Sequence, residues 1–139
     1  MKTKAFLLLS VMILFVVNQV YSQTKTSSNY SITLTKVAKL GKGGPNETDL
    51  ISGKVTGTNL KLLQIVIYAK AGGKWWLQPT IENPFTLILS DGSWQNEIYL
   101  GNQYAILLVT KSFKPQSIVT TLPQLDSNIK AIEIVNARQ

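Results

Sequence analysis

Short apolar stretches separated by turn-forming residues recur along most of the chain after its first 30 residues. In several of them, such as residues 31–37, apolar and polar side chains alternate, which is the period of a strand with one buried face. Residues 62–70 and 104–111 are almost continuously apolar and rich in branched side chains, which predicts central strands. The predicted core residues on these two strands are Ile65, Ile67, Leu107 and Val109.

Glycines mark several of the predicted turns. Gly72 and Gly73 predict a tight hairpin, because paired glycines supply the positive φ that such turns require. The Asp91-Gly92 pair predicts a second turn, with Gly92 at positive φ and Asp91 accepting a backbone hydrogen bond. Gly53, inside a strand, predicts a bulge or a close neighbour. The other predicted strands are residues 50–56, 75–78, 85–89, 94–100, 117–122 and 129–137.

About nine short strands without a convincing helix predict an all-β fold. The expected architecture is a single antiparallel β-sandwich, immunoglobulin-like in plan, after an N-terminal signal peptide. The predicted organisation is a signal peptide over residues 1–22, a flexible polar lead over residues 23–29 and the β-sandwich domain over residues 30–139.

The N-terminal segment has the features of an export signal. Lys2 and Lys4 precede a 13-residue apolar run over residues 5–17, and a polar stretch ends at the small residue Ser22. The run is shorter than the roughly 20 residues that span a bilayer, although an uncleaved anchor is the alternative. We therefore expect a secreted or periplasmic protein that begins near Gln23 and has no stable membrane anchor after cleavage.

Composition excludes several classes of function. The chain has no cysteine and no histidine, which rules out disulfides, thiol nucleophiles, Cys/His zinc sites and histidine-dependent triads. Of its 14 basic and seven acidic residues, 12 basic residues remain without Lys2 and Lys4, and all but Arg138 are lysines. Because nucleic-acid readers favour arginine, we expect no nucleic-acid partner. A loose cluster of Lys36, Lys39 and Lys42 is either a solvated surface or a site of mild attraction to an anionic polymer.

No catalytic pattern stands out. Glycoside hydrolysis needs two carboxylates across a cleft, but Glu82 and Asp91 flank the same predicted strand at opposite ends. Ser127 and Lys130 have the Ser-x-x-Lys spacing, yet they precede a predicted strand and do not lie on a helix. We therefore expect a protein that is not an enzyme, with no cofactor and no metal site; a small hydrolase is the least favoured interpretation.

The aromatic residues are the candidate chemistry. Trp75 and Trp76 are adjacent, so on a strand they point to opposite faces. Because Leu77 prefers the core and Gln78 prefers water, we expect Trp75 to be buried and Trp76 to be exposed. An exposed indole is suited to stacking on sugar rings, although packing of both rings is the alternative. The candidate ligand-binding residues are Trp76, Gln78, Tyr68 and Lys70.

A spaced pattern carries a family resemblance. Ile-Ser-Gly-Lys-Val precedes Trp-Trp-Leu-Gln-Pro-Thr, Ser-Asp-Gly-Ser-Trp and Leu-Gly-Asn-Gln-Tyr-Ala, all within residues 51–123. The Trp-x-x-Pro and Asp-Gly-x-Trp elements at this spacing resemble a small β-sandwich module of bacterial secreted proteins, often found beside polysaccharide-active catalytic domains. The resemblance implies a secreted β-sandwich and assigns no binding residues.

Two hypotheses for function follow from the sequence. The first is a secreted, non-catalytic module that binds carbohydrate or a cell-surface polymer weakly through its aromatic segment. The alternative is a structural or protein–protein interaction module without a small-molecule ligand, in which the tryptophans serve packing alone. The sequence does not specify the oligomeric state.

Overall fold

The computed structural model describes residues 23–26 and 29–139, so the expected signal peptide over residues 1–22 lies outside the described residues. The described part of the chain is all-β, apart from one 3-10 turn at Leu60–Leu62. None of its helical segments is long and apolar enough to cross a membrane. The strands are β1 (Gln23–Thr26), β2 (Ser31–Lys36), β3 (Thr48–Thr56), β4 (Leu63–Ala71), β5 (Lys74–Gln78), β6 (Phe85–Thr86), β7 (Ser93–Tyr99), β8 (Gln103–Thr110), β9 (Ile118–Val119) and β10 (Ile129–Asn136).

The strands form two open sheets, and all pairs between named strands are antiparallel. The larger has seven strands in the order β1-β10-β8-β4-β5-β9, with β6 also paired to β4. The smaller has three strands in the order β2-β3-β7. The prediction of an all-β, antiparallel fold is confirmed.

The seven-stranded sheet is covered on both faces. On its inner face, Ile65 and Ile67 share a buried cluster with Ile51 and Trp94 of the three-stranded sheet. On its outer face, Val66 and its neighbours pack with apolar side chains of the irregular segment between β8 and β10. Two covered faces explain why β4 and β8 are continuously apolar and do not alternate.

The predicted core and turns agree with the structure. The four predicted core residues of β4 and β8 are fully buried. Gly72 and Gly73 have φ of 60° and 75° in the hairpin between β4 and β5, and Gly92 has φ of 85°. The Ser93 N–H donates to Asp91 Oδ1 at 2.9 Å. A Cβ on Gly53 would lie 2.4 Å from the Thr33 carbonyl oxygen, which confirms the predicted close neighbour.

Three segments differ from the expectation. The predicted strand over residues 85–89 pairs only at Phe85–Thr86, because the Leu89 N–H turns to donate to Ser93 O. The predicted strand over residues 117–122 pairs only at Ile118–Val119, since the chain there crosses the outer face as an irregular cover.

The expected flexible lead is the third difference. Gln23–Thr26 forms a strand along β10. The Thr24 hydroxyl donates to the carboxylate of Glu133, which is buried. A polar segment without apolar periodicity thus gains its structure from an exposed sheet edge and a buried acceptor, neither of which is visible in local sequence.

Candidate functional site: the Trp76 cleft

The adjacent tryptophans of β5 lie in different surroundings, as the alternation predicted. Trp75 is 6% exposed and packs in the outer-face cluster. Trp76 is 42% exposed. It pairs with Ala69, which belongs to the inner-face cluster, so Trp76 points to the same side of the sheet as the inner core. Trp76 is exposed because the narrower three-stranded sheet leaves this position uncovered.

Trp76 lines a cleft of about 500 Å³. The cleft lies between the loop before β3, the β4–β5 hairpin and the end of β7. Its walls are mainly apolar, and three glycines, Gly43, Gly44 and Gly72, contribute backbone without side chains. We call this region the Trp76 cleft, and the residues that line it include Lys42, Pro45, Trp76, Pro79, Tyr99 and Leu100.

The loop before β3 approaches the hairpin closely at one end of the cleft. Gly43 has φ of 88°, and a Cβ on it would lie 2.8 Å from the Cβ of Ala71. Only glycine combines this backbone conformation with such a short approach. The loop therefore forms a wall of the cleft next to Trp76.

The indole of Trp76 is held in position. Its Nε1–H donates to the carbonyl oxygen of Ala71 at 3.0 Å, so the polar edge of the ring is already bonded and its faces remain for contact. Ile118 of β9 pairs with Trp76 and is also 42% exposed. An apolar surface thus extends from the cleft through Trp76 to Ile118 at the edge of the sheet.

Gln78 differs from the expectation that its side chain faces water. It is only 4% exposed, and both ends of its amide are bonded. Its Nε2 donates to Trp76 O at 3.2 Å, and its Oε1 accepts the Tyr99 N–H at 2.9 Å. Gln78 therefore joins β5 of one sheet to the end of β7 in the other and fixes the backbones that carry the two aromatic rings. It is a positioning residue at the floor of the cleft.

Tyr68 and Lys70 lie on the other face of the sheet from Trp76. The two-residue turn pairs Tyr68 with Leu77 and Lys70 with Trp75, so all four belong to the outer face. Tyr68 is buried, and its hydroxyl donates to Gln116 O at 2.9 Å. Burial raises the pKa of this hydroxyl. The expectation that these residues extend the Trp76 surface is therefore wrong.

Lys70 has a different partner. Its Nζ lies 5.4 Å from the centroid of the Trp75 ring, within cation–π range. The ammonium group therefore sits over the buried tryptophan, on the outer face of the sheet. Of the four predicted site residues, the structure brings only Trp76 and Gln78 together.

Tyr99, Pro45 and Lys42 were not predicted as site residues. They come from β7 and from the loop before β3, and only the packing of the two sheets brings them to Trp76. Tyr99 is half-buried and lies in the cleft wall at the end of β7. No local pattern in the sequence indicates that these residues lie near Trp76. The alternation along β7 indicates only which face of its own sheet the Tyr99 side chain occupies.

The three lysines near the start of the domain have different surroundings in the structure. Lys36 Nζ lies 3.2 Å from Asp49 Oδ1, and Lys39 Nζ lies 3.9 Å from Glu47 Oε2. Lys42 instead lines the cleft, and among the described residues that line it, Lys42 alone is charged. The cleft therefore combines aromatic and apolar walls with one positive side chain, a set that suits contact with neutral or acidic ligands.

No group of acidic side chains able to hold a metal ion occurs in the described part of the chain. Comparison with known proteins found no matching family model, no matching curated protein and no matching solved structure.

Proposed function

We propose that this protein is a secreted, non-catalytic module that binds carbohydrate or a cell-surface polymer weakly through the Trp76 cleft. The observation that carries the proposal is an exposed Trp76 whose Nε1–H is already bonded, in a mainly apolar cleft that includes Tyr99 and Lys42. Aromatic faces offer large, rigid contact area at low entropic cost, which suits the C–H faces of sugar rings. The resemblance of the spaced motifs to a secreted bacterial β-sandwich module favours the same interpretation.

The proposed scaffold is a β-sandwich, immunoglobulin-like in plan. The inner-face cluster contains side chains from both sheets, and Gln78 bonds the sheets at one edge. At another edge, Nη2 of Arg138, which follows β10, lies 3.2 Å from Oδ2 of Asp49 in β3. These contacts between the sheets support the cleft at their rim.

The expected affinity is low. One or two stacked rings and a few hydrogen bonds in competition with water supply about 4–6 kcal/mol, which corresponds to millimolar to high micromolar dissociation constants. Lys42 favours polymers that carry carboxylate or sulfate groups, since it is positive and lies in the cleft wall.

Export is part of the proposal. If residues 1–22 are a cleaved export signal, the exported protein begins at or near Gln23. Intact-mass measurement on protein recovered from the medium or periplasm tests this directly. Recovery of the full-length chain from membranes would contradict export with cleavage.

Affinity electrophoresis through gels that contain single polysaccharides, neutral and acidic, tests the binding. At least one polymer should retard the wild-type protein, and Trp76→Ala should abolish the retardation. Leu87→Ala is the matched control, because Leu87 is 68% exposed and does not line the cleft. Equal retardation of the wild type and Trp76→Ala, or retardation by no polymer in a broad panel, would contradict the proposal.

A second candidate is a structural or protein–protein interaction module. The observation that favours it is the set of large hydrophobic side chains exposed outside the cleft, of which Leu87 is the most exposed. Concentration-dependent self-association, or capture of one defined partner that is lost in Leu87→Ala and kept in Trp76→Ala, would support this candidate over the first.

A further inference from the structure

Three leucine side chains are exposed at the end of the seven-stranded sheet that lies away from the Trp76 cleft. Leu62, Leu87 and Leu89 are 56%, 68% and 55% exposed. Leu62 directly precedes β4, and β4 ends beside the cleft at Ala71. At the rise of an extended strand the two ends are about 25–30 Å apart.

The register of the sheet brings these leucines together. Thr86 of β6 pairs with β4 in the antiparallel direction, so the chain after Thr86 runs back toward Leu62. Ile88 is buried in the inner-face cluster, so its neighbours Leu87 and Leu89 project away from the core. The three side chains therefore form one apolar edge.

Hydrogen-bonded turns hold the backbones of Leu62 and Leu89 in place. The Leu89 N–H donates to Ser93 O at 2.8 Å, and the Gly92 N–H donates to Leu89 O at 2.9 Å. The Leu62 N–H donates to Asn59 O at 2.9 Å. Exposed apolar side chains on such hydrogen-bonded turns are presented to a partner with little cost of ordering the backbone.

Lysine side chains border the leucines. Lys61 is exposed and adjacent to Leu62. Lys111 directly follows the last residue of β8, which pairs with the first residue of β4. Lys54 lies near enough to Asp91 to lower the pKa of that carboxyl, after the larger effect of hydrogen bonds from Ser93. Positive side chains beside exposed apolar ones are complementary to anionic headgroups above an acyl layer.

We propose that this leucine edge, made of Leu62, Leu87 and Leu89 with Lys61 and Lys111, binds reversibly to the surface of an anionic lipid membrane. The leucines enter the boundary of the acyl layer while the lysines contact headgroup phosphates. A second copy of the chain is a poorer occupant, since a stable dimer buries about 800 Å² on each partner and three exposed leucine side chains offer much less.

The test uses the protein released by an exporting host, with its N terminus read by intact mass. Because the chain contains no cysteine, Ser90→Cys provides a single attachment point for an environment-sensitive dye next to Leu89. Asn102→Cys, after β7 at the cleft end, is the matched labelling control. Vesicles of phosphatidylcholine alone and of phosphatidylcholine with phosphatidylglycerol are the probes.

Vesicles with phosphatidylglycerol should shift the dye at position 90 to the blue and leave the dye at position 102 unchanged. Leu87→Ser should weaken vesicle binding by about tenfold or more, because its apolar area no longer enters the membrane. Lys61→Gln and Lys111→Gln should each weaken it by about fivefold, and added salt should do the same. Leu40→Ser, at an exposed leucine of the cleft end, should leave binding unchanged.

Three outcomes would overturn the proposal. The first is absence of binding to anionic vesicles. The second is binding that depends on salt but not on Leu87, with no dye shift at position 90. The third is self-association that Leu87→Ser abolishes, which would make a second copy the occupant. Trp76→Ala should keep vesicle binding, so a failure of this proposal is distinguishable from a failure of the polysaccharide proposal.

Discussion

Trp75 and Trp76 are neighbours in the chain, yet the regions around them differ in what covers the sheet. Trp75 lies on the outer face, under an irregular segment that fills the surface closely. Trp76 lies on the inner face, where the regular three-stranded sheet is narrower than the seven-stranded sheet below it. The more ordered cover is the one that leaves a tryptophan exposed. Alternation therefore assigns a side chain to a face, whereas the width of the covering layer decides whether it is buried.

Truncating each tryptophan should separate the two regions most strongly. Trp75→Ala should lower the free energy of unfolding by about 3–5 kcal/mol, because it removes a buried ring and leaves a cavity. Trp76→Ala should change it by less than about 0.5 kcal/mol. Urea denaturation followed by circular dichroism measures both. Equal losses in the two variants would mean that Trp76 is a packing residue.

Truncation beneath each cover tests whether the irregular segment packs as well as the sheet. Ile67 points to the inner face and Leu107 to the outer face, and both are fully buried. Ile67→Ala and Leu107→Ala should each cost about 2–5 kcal/mol in the same denaturation experiment. A loss below roughly 0.5 kcal/mol for Leu107→Ala would show that the irregular segment is a loose cover.

Removing the amide that joins the two sheets should have a smaller effect. Gln78→Ala leaves the Tyr99 N–H without its acceptor, at a cost of about 1–3 kcal/mol. It should also weaken polysaccharide retention although Gln78 is buried, since the backbones of Trp76 and Tyr99 lose the amide that links them. Gln95→Ala, at an exposed position of β7, is the control and should stay within about 0.5 kcal/mol. Retention that survives Gln78→Ala would contradict the positioning role.

The smallest expected effect concerns the edge between the sheets where Asp49 meets Arg138. Burial raises the pKa of Asp49, but N–H donors from Lys39 and Leu50 and the ammonium of Lys36 outweigh it and lower the pKa from 3.8 to about 2. The contribution of ionised Asp49 to the free energy of unfolding is therefore complete above about pH 4 and is lost as pH falls toward 2. Melting temperatures of the wild type and Asp49→Asn should differ at pH 7 and converge near pH 2. A constant difference across this range would contradict the assignment.

Much of the fold was predictable because its signals are local. The apolar runs of β4 and β8 and the glycines at 72, 73 and 92 fixed the central strands and turns. The length of the hairpin turn also indicates which face Tyr68 occupies, and the site prediction did not use it. A turn of that length pairs Tyr68 with Leu77, which already places Tyr68 on the face opposite Trp76.

The rest of the site depends on contacts that are distant in the chain. The polarity of Gln78 predicts that its side chain faces solvent. The end of β7 instead covers it, and its amide oxygen accepts the Tyr99 N–H. Tyr99 and Lys42 reach the cleft only because the two sheets meet there. A single sequence contains no local pattern for such a meeting, so the cleft required the tertiary structure.

Tryptophan fluorescence tests the central claim most directly, because Trp76 is the exposed tryptophan while Trp75 and Trp94 are buried. Acrylamide should quench one fraction of the emission, and Trp76→Phe should remove that fraction. A polysaccharide that retards the protein in affinity gels should protect the same fraction at saturating concentration. Unchanged quenching in the presence of a polysaccharide that is demonstrably bound would contradict the claim that the Trp76 cleft is the binding site.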